Sequence, residues 1–394
     1  MNLKIIWILL KKEATQVYND HSILLALLAA PLLYFALMGS TYFNKDEEKV
    51  SVGIVDFDQS QSSKAFLNKI NATQKIKIIQ AYNNLAEAKH GFNSFDVQAL
   101  VHIPKGFEKK LKAHESTPIG LILNNSKFLS SNDINKAVNL VAMEYAEKSR
   151  ETFFESKGIN PSLAVKKAQP ITAQINAVYN PTNNYGNFLL PALLILILHQ
   201  TLLIGFSESV ALDREKNQVA LRFKESEYNF LNYILGKTGF YILLYSAYML
   251  LTFLVAYPIF DLPINGSLFS LIIVSILFFI ATIFYGWFVS SFFKSQARAM
   301  EIMAFTSYPV FLITGITWSF KEMPWVLQFI SNLIPLKPYF EFLKKQTIMG
   351  VDNYLYNTEI IQLLILLLIG YVAALLRFKH LQKRELKSKL TQVI

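Results

Sequence analysis

Few residues in this 394-residue sequence could do chemistry, and the most suggestive group is Gly236-Lys237-Thr238, which has the form of the end of a phosphate-binding loop. That loop follows the pattern Gly-x-x-x-x-Gly-Lys-[Ser/Thr], in which backbone amides and the lysine hold the phosphates. The first glycine would stand at position 231, where the residue is Leu231, and the segment continues directly into an apolar stretch. The sequence therefore predicts no nucleotide site. Instead, we expect Lys237 to extend toward lipid head groups at the end of a membrane span.

The other polar groups give no catalytic or metal-binding set. Asp56, Asp58 and Asp96 have no histidine at ligand spacing, and aspartate favours turns because it bonds to its own backbone. The absence of cysteine excludes disulfides, thiolate metal sites and cysteine nucleophiles. His199-Gln200-Thr201 lies in the middle of an apolar stretch, where hydrogen bonding between helices is favoured over contact with a substrate or a proton. We therefore expect a chain that is not an enzyme and binds neither a metal nor a cofactor of its own.

The elements that carry these residues are mostly membrane helices. Apolar residues make up 53% of the chain and charged residues 17%, and the mean hydropathy is +0.31. A spanning helix needs roughly 20 consecutive apolar residues to cross the bilayer core. Six stretches satisfy this requirement: Ile23–Phe43, Phe188–Phe206, Tyr233–Tyr257, Leu268–Phe293, Ile302–Phe320 and Ile360–Phe378.

A segment of soluble composition interrupts this pattern between the first two spans. Strand-like alternation at 50–55, 75–81, 97–103 and 119–123 is interleaved with helical patterns at 60–71, 84–92 and 133–156. Strands that alternate with helices indicate a small α/β domain with a mixed or parallel sheet. The predicted fold class is therefore an α-helical polytopic membrane protein with six transmembrane helices and an inserted extracytoplasmic α/β domain at 44–187.

The basic residues predict the orientation of the chain. They concentrate near the N-terminus, in the loop 207–232, in the turn around Lys294 and in the tail 379–394, whereas the segment 258–267 has none. Because Lys and Arg in short segments stay on the cytoplasmic side, both termini are predicted to be cytoplasmic in a multi-pass protein of the bacterial inner membrane. The net charge of +10 thus reflects topology and contact with the lipid bilayer, and not binding to nucleic acid.

The first 21 residues predict an amphipathic helix that lies at the cytoplasmic membrane surface, ahead of transmembrane helix 1 at 22–43. Its apolar face recurs at helical spacing: Leu3, Ile6, Trp7, Leu10, Ala14 and Val17. A cleavable signal peptide is the competing interpretation. Its apolar region, 5–10, would be shorter than the roughly 7–15 residues that such a peptide needs, so an uncleaved anchor is favoured.

Several motifs along the chain resemble one known family. Asp213-Arg214-Glu215-Lys216-Asn217-Gln218 follows the second span, and Leu235-Gly236-Lys237 opens the third. The remaining motifs are Val52–Ser60, Asp96–Phe107, Tyr179-Asn180-Pro181, Phe188–Pro191, Gly315, Pro324-Trp325, Ile334-Pro335-Leu336 and Gly350. In order and spacing they resemble the membrane subunit of type-2 ABC exporters, in the branch with a large external domain between the first two spans. The family usually shows Glu-Arg-Glu-x-Gly-Thr in the loop, so Asp213 and Asn217-Gln218 depart from its pattern.

The resemblance implies a permease whose energy comes from a separate ABC ATP-binding subunit, which would carry the ATP and Mg²⁺. In the family, a coupling helix in the loop 207–232 docks on that subunit. By resemblance, Asp213, Arg214, Glu215 and Lys216 are the coupling residues, and we expect charged side chains here to project from a rigid helix into a groove of the partner. A second copy of this chain or a paralogous permease would complete the transporter, and the sequence leaves open whether a periplasmic adaptor also binds.

The resemblance also suggests where substrate passes. Within the transmembrane region 188–378, faces of the second and fifth spans would line a path on the axis shared by two permeases, and an external re-entrant hairpin at 321–350 would wall its outer exit. The candidate path residues are Asn187, Phe188, Pro191, His199, Thr306 and Pro309. The candidate gate residues are Gly315, Pro324, Trp325 and Pro335.

Two functions follow from the sequence. The first is ATP-driven export of a hydrophobic, lipid-like or drug-like substrate across the cytoplasmic membrane, which includes a multidrug-resistance role. The second is a membrane-anchored envelope scaffold or binding protein without transport activity. The charged loop 207–232 favours the first, because a scaffold does not need a coupling segment.

Overall fold

The structure is a computed structural model that describes residues 2–43, 49–171, 178–179, 185–351 and 356–391, with side chains up to residue 383. The chain divides into two compact units. One comprises Met1–Lys45 and Ala177–Ile394, and the other comprises Asp46–Asn176. The motif residues Asn180 and Pro181 and the side chains of the tail beyond residue 383 lie outside the described residues.

Two helices open the first unit: α1 (Leu3–Asn19) and α2 (His21–Tyr42). Asp20 separates them, and its carboxylate accepts hydrogen bonds from the first amides of α2. A helix over the N-terminal segment was predicted and is present. Its buried stripe, however, consists of Leu9, Glu13 and Val17, and Val17 is the only member of the predicted apolar face that is buried within the chain.

The second unit is an α/β fold around a four-stranded mixed sheet. In chain order its elements are β1 (Val50–Asp56), α3 (Gln61–Asn71), β2 (Ile76–Ala81), α4 (Leu85–Asn93), β3 (Ala99–Ile103), α5 (Phe107–Lys112), β4 (Gly120–Leu123), α6 (Phe128–Ser156) and α7 (Pro161–Ala168). The strand order is β2-β1-β3-β4, with β1 parallel to both β2 and β3, and β4 antiparallel to β3. Apolar side chains of the sheet, α3 and α6 form the core on one face.

Asp56 and Asp58 close a turn and a helix start, as their sequence context predicted. Asp56 accepts hydrogen bonds from the amides of Asp58 and Gln59, each at 3.0 Å. The Asp58 carboxylate accepts from the three amides that open α5, at 2.7–3.0 Å. A hydrogen bond with Ser60, together with these amides, holds the pKa of Asp58 below its usual value.

The remaining helices belong to the first unit. They are α8 (Tyr185–Glu215), α9 (Val219–Glu225), α10 (Phe230–Ile259), α11 (Leu268–Ser290), α12 (Gln296–Ile313), α13 (Trp325–Asn332), α14 (Leu336–Lys344) and α15 (Asn357–Thr391). Within the described ranges, five helices are long and apolar enough to cross a membrane: α2, α8, α10, α11 and α15. The predicted fold class, a helical polytopic membrane protein with an inserted α/β region, is thus confirmed.

The helix at the fifth predicted span, Ile302–Phe320, differs from the prediction in its position along the chain. The helix here is α12, which begins six residues earlier, at Gln296, and ends at Ile313. Gly315 has a φ of +87°, which favours glycine and accompanies the end of the helix. The shift brings Arg298 and Glu301 into the helix, so α12 is more polar than the predicted apolar stretch.

Two short helices, α13 and α14, follow α12, as the alternation of prolines and apolar runs predicted. They differ in burial. Most of α13 is exposed, including Trp325 at 77%, whereas α14 is mostly buried and packs on both α11 and α15. Tyr339 of α14 stacks on Phe278 with ring centroids 4.1 Å apart, and its hydroxyl lies 2.6 Å from the Ser275 hydroxyl.

Candidate functional site

The N-terminal helix packs closely on α10 because a glycine faces it. A Cβ atom on Gly236 would lie 2.4 Å from the Cβ of Leu9, so only glycine permits this approach. One turn further along α1, Glu13 is fully buried. The close packing thus carries an acidic side chain into the protein interior, where it requires partners.

Four charged side chains from four helices form a buried ion cluster: Glu13 of α1, Asp213 of α8, Arg222 of α9 and Lys237 of α10. The Lys237 ammonium lies 2.8 Å from Glu13 Oε1 and 2.8 Å from Asp213 Oδ2. The Arg222 guanidinium lies 2.6 Å from Glu13 Oε2 and 3.1 Å from Asp213 Oδ1. Each cation therefore bridges both carboxylates, and the formal charges sum to zero.

Neutral groups complete the hydrogen bonding around Glu13 and Lys237. Ser209 donates to Glu13 Oε1 at 2.5 Å and accepts from the Lys237 ammonium at 2.6 Å. The Tyr241 hydroxyl donates to the same Glu13 oxygen at 2.8 Å. Arg222 also bonds to the side-chain oxygen of Gln16. Such complete bonding is what makes a buried cluster of charges tolerable.

The electrostatics favour the charged forms of Glu13 and Arg222. Burial opposes the charged form of Glu13, but Lys237 and Arg222 outweigh it and hold the pKa of Glu13 below its usual value. Burial also opposes the charged form of Arg222, yet Asp213 and Glu13 raise its pKa. Removal of one member of such a set costs about 3–5 kcal/mol, because an uncompensated charge stays buried. The cluster therefore resists any movement that separates α1, α8, α9 and α10.

The next two residues of α8 extend these links to the α11–α12 turn. Arg214 donates to the backbone carbonyls of Ser291 and Phe293, at 2.5 and 2.8 Å. The Glu215 carboxylate accepts a hydrogen bond at 2.8 Å from the amide of Gln296, the first residue of α12. Arg214 therefore binds carbonyls that follow α11, where cations are favourable, and Glu215 caps the start of α12, where anions are favourable. Asp213, Arg214 and Glu215 together join the end of α8 to α9, α10, α11 and α12.

A cavity and an exposed surface adjoin the cluster. The cavity, of about 230 Å³, lies between α1 and the segment that includes α9, and its walls include Glu13, Arg222 and Lys237. On the outside, Leu221 is 51% exposed and Tyr228 is 65% exposed, and Lys216 is exposed between α8 and α9. The loop thus presents both apolar and charged groups to solvent.

Aromatic contacts bring the C-terminal helix to the same end of this unit. Phe378 of α15 packs on Phe223, Phe230 and Tyr233, with ring centroids 4.8–5.4 Å apart. On the other side of the loop, Lys12 of α1 pairs with Glu225 at 2.6 Å. The N-terminal helix, the charged loop and the end of the last long helix therefore meet in one place.

The structure differs from the sequence expectation on where the coupling residues point. We expected Asp213 to project outward, but its side chain is buried and bonds within the chain; Arg214 and Glu215 also bond within the chain. Lys216 is exposed. The expectation that Lys237 extends toward lipid head groups is wrong, because its side chain is 2% exposed and is paired with Glu13 and Asp213.

Sequence reasoning missed Glu13 altogether. One signal was available, because Glu13 is the only acidic residue in α1 and lies four residues from both Leu9 and Val17, on one helical face. An acidic residue within an otherwise apolar stripe indicates a buried partner of opposite charge. The sequence does not show that this partner is Lys237, 224 positions further along the chain.

The candidate path residues are divided between the interior and the surface of the unit. Pro191 and His199 are buried within α8, whereas Phe188 and Pro309 are exposed. Asn187 is partly buried at the start of α8, and Thr306 donates a hydrogen bond within α12, to the Met303 carbonyl.

The polar group in the middle of α8 makes two of the helix–helix hydrogen bonds that its position predicted. Gln200 accepts from Ser307 of α12 at 2.9 Å, and Thr201 accepts from Tyr245 of α10 at 2.9 Å. His199 instead stacks on Phe278, and within the described part of the chain neither ring nitrogen has a hydrogen-bond partner.

The candidate gate residues also lie apart. Gly315 follows α12, Pro324 precedes α13, Trp325 begins it, and Pro335 precedes α14. Pro324 and Trp325 are exposed, and Pro335 is buried. An exposed apolar helix beside a buried one is the arrangement expected where a hairpin meets lipid or a second subunit.

Comparison with known proteins extends over most of the chain. A family model described as "ABC-2 family transporter protein" matches residues 21–376. The chain is 24% identical over 347 residues to the probable multidrug ABC transporter permease YbhS of Escherichia coli (strain K12), covering 86% of this chain and 87% of that protein. It is 20% identical over 344 residues to the probable multidrug ABC transporter permease YbhR of the same strain, covering 86% and 89%. Over 333 residues it is 23% identical to ABC transporter G family member 23 of Dictyostelium discoideum, covering 83% of this chain and 45% of that protein.

Proposed function

Because this chain belongs to the ABC-2 transporter family, as a non-catalytic permease subunit, we propose that it exports a hydrophobic, lipid-like or drug-like substrate. Export would run outward across the cytoplasmic membrane and be powered by ATP hydrolysed on a separate subunit. Permeases of this family pair with ATP-binding subunits, and ATP and Mg²⁺ are held there. Two relatives are named as probable multidrug permeases, which supports the substrate class.

The observation that carries the coupling mechanism is the buried ion cluster with its extension through Arg214 and Glu215. The ATP-binding subunit docks on the exposed face of the loop, at Lys216, Leu221 and Tyr228. Movement of α9 then reaches α1, α8 and α10 through the ion cluster, and it reaches α11 and α12 through Arg214 and Glu215. These residues therefore act as positioning residues within the permease and do not enter a groove of the partner.

The contacts at the loop also support the proposed topology. α1, the loop and the end of α15 meet at one end of the unit, which supports the proposal that both termini lie on the side of the ATP-binding subunit. The basic residues of these segments make that side the cytoplasmic one. The α/β unit, inserted between α2 and α8, is then extracytoplasmic.

The path lies on an axis shared with a second permease, either another copy or a paralogue. The exposed residues Phe188 and Pro309 and the partly buried Thr306 face that axis, while Pro191 and His199 are buried within α8. The exposed helix α13, with Gly315, Pro324, Trp325 and Pro335 at its ends and flanks, walls the outer exit. A periplasmic adaptor would bind on the extracytoplasmic side.

The test is ATP-dependent uptake of fluorescent hydrophobic dyes into inverted vesicles that hold the permease and its ATP-binding subunit. Uptake should require ATP and an intact nucleotide site on the partner. The double variant Arg214→Gln, Glu215→Gln should retain ATP hydrolysis but lose most of its stimulation by substrate. Lys294→Gln is the matched control, because Lys294 is exposed in the same turn and makes no hydrogen bond or ion pair among the described residues.

Two results would count against the proposal. Unchanged substrate stimulation in the double variant would refute the coupling role of Arg214 and Glu215. Absence of ATP-dependent uptake for every dye, with the complex assembled, would favour the scaffold alternative over export.

A further inference from the structure

The α/β unit contains an open cavity that the coupling mechanism does not use. Its volume is about 600 Å³, within the range of roughly 300–1,000 Å³ that is typical of small-molecule sites. The walls come from α3, α5, the segment 113–119 that leads to β4, and the second half of α6. A second cavity of about 520 Å³ adjoins it and shares Leu111, His114, Tyr145 and Ser149 as lining residues.

The floor of the first cavity is apolar and belongs to the packed core of the unit. Phe66 and Phe107 are 2% and 3% exposed and belong to the core of the unit. Tyr145 packs edge-on against Phe66, with ring centroids 5.2 Å apart. Phe153 and Phe154 continue the aromatic lining along α6. A ligand that fits this cavity therefore needs an apolar chain or ring system, whose burial provides the main part of the binding free energy.

One cation in the lining has no acidic partner. Arg150 donates its Nε–H to the Ala168 carbonyl at 3.1 Å, and it forms no ion pair with any described carboxylate. The lysines that line the adjoining cavity differ from it, because each pairs with a carboxylate: Lys69 with Glu144 at 2.6 Å, Lys112 with Glu108 at 3.2 Å and Lys148 with Glu151 at 3.0 Å. The two terminal nitrogens of Arg150 are thus available to an anion.

The polar side of the lining is held in place by contacts within the unit. His114 has a φ of +56°, its ring lies 4.7 Å from that of Phe153, and its Nδ1 lies 3.3 Å from the Ser149 hydroxyl. Glu115 is a lining carboxylate, so an anionic head group is expected beside Arg150 and away from Glu115. Arginine binds carboxylates in a bidentate manner, which adds geometric selectivity to the charge.

We propose that this cavity binds an amphipathic carboxylic acid, with its apolar part against Phe66, Phe107 and Phe153 and its carboxylate on Arg150. The site is confined to the α/β unit. It needs neither ATP nor the ATP-binding subunit, so it stands independently of the proposed transport function.

The test uses the full chain in lipid nanodiscs without ATP or partner subunits. The probe is dodecanoic acid that carries a photoreactive diazirine, and the comparison probe is the corresponding alcohol. After irradiation, mass spectrometry should find the acid on peptides that span 107–119 and 142–154, and labelling should saturate. The alcohol should require at least about a tenfold higher concentration, because it lacks the charge that Arg150 recognises.

Variants separate the two parts of the site. Arg150→Gln should raise the half-saturating concentration of the acid at least about tenfold and leave that of the alcohol unchanged. Ala146→Phe, which places a ring in the cavity, should lower labelling by both probes. Lys136→Gln is the matched control, since Lys136 is an exposed cation on the same helix and does not line either cavity.

Three outcomes would overturn the proposal. The first is labelling confined to the membrane-spanning helices. The second is equal half-saturation by acid and alcohol in the unmodified chain. The third is equal loss of acid labelling in Arg150→Gln and Lys136→Gln, which would mean that surface charge alone attracts the acid.

Discussion

Neutralisation of Glu13 should release the N-terminal helix from the rest of the membrane unit. In Glu13→Gln, the buried ion cluster keeps two cations, Lys237 and Arg222, but only one carboxylate, Asp213. The lost pairs are at 2.6 and 2.8 Å, and both cations are at most 15% exposed, so the excess positive charge stays buried. The expected cost is about 3–5 kcal/mol.

The natural absence of cysteine allows a direct assay of this release. Val17 of α1 is 1% exposed, so the thiol of Val17→Cys would react with a maleimide only when α1 opens. At 1.4 kcal/mol for each factor of ten, a cost of 3 kcal/mol raises the labelling rate roughly 100-fold. The matched control is Lys4→Gln in the same cysteine background, because Lys4 is an exposed charge on the same helix.

A double variant decides whether the charge balance is the cause. Glu13→Gln with Lys237→Met leaves one carboxylate and one cation, which remain paired at 3.1 Å. Its labelling rate should therefore be well below the value expected if the two single effects were additive. If the two effects add within about 0.5 kcal/mol, or if Glu13→Gln alone leaves the rate unchanged, the reasoning about the cluster is refuted.

Three further predictions concern packing, capping and hydrogen bonding. Gly236→Ala should destabilise α1 docking by about 1–3 kcal/mol, because the added Cβ would overlap Leu9, and the Val17→Cys labelling rate should rise accordingly. Asp58→Asn should weaken the start of α5 by about 1 kcal/mol, seen as faster hydrogen exchange of its first amides. Since the pKa of Asp58 is lowered in the folded protein, its stabilising effect should be complete above the ordinary value of 3.8 and should disappear as the pH falls through the lowered value. Protection factors of these amides in the wild-type protein that stay constant over this pH range would contradict the assignment. Tyr339→Phe removes a 2.6 Å buried hydrogen bond and should lower the free energy of unfolding in bicelles by about 1 kcal/mol, and no change would show that the bond contributes little.

Local sequence patterns predicted most helices and strands of the α/β unit, with errors in some helix boundaries and two short helices missed. All four strands of the α/β unit were predicted, as were α3 and α4, because strand alternation and capping residues act over short distances. α6 begins at Phe128 instead of 133, and the short helices α5 and α7 were missed. A six-residue helix such as α5 has little periodicity of its own, and its first amides bond to Asp58, which lies 49 positions before its first residue.

The sequence located part of the candidate site but did not predict its contacts. The motif Asp213-Arg214-Glu215 could be located by resemblance, but its side chains were expected on a partner protein and bond within the chain instead. Gly236-Lys237 was recognised as a family motif, but the sequence did not show why glycine and lysine occupy these two positions. The reason is the close approach of Leu9 and the two ion pairs of Lys237, and both depend on the position of α1.

The sequence by itself determined which segments form membrane helices and which form the α/β unit. Five of the six apolar stretches correspond to helices long and apolar enough to cross a membrane, because their length and hydropathy match the bilayer. The alternating insertion became an α/β unit because strands and helices bury one face each. Only the tertiary structure decided which charges would be buried together. Glu13, Asp213, Arg222 and Lys237 are spread over 224 positions, and a charge can enter the interior only where partners from other helices neutralise it. That requirement is met by the packing of four helices at once, which no local pattern encodes.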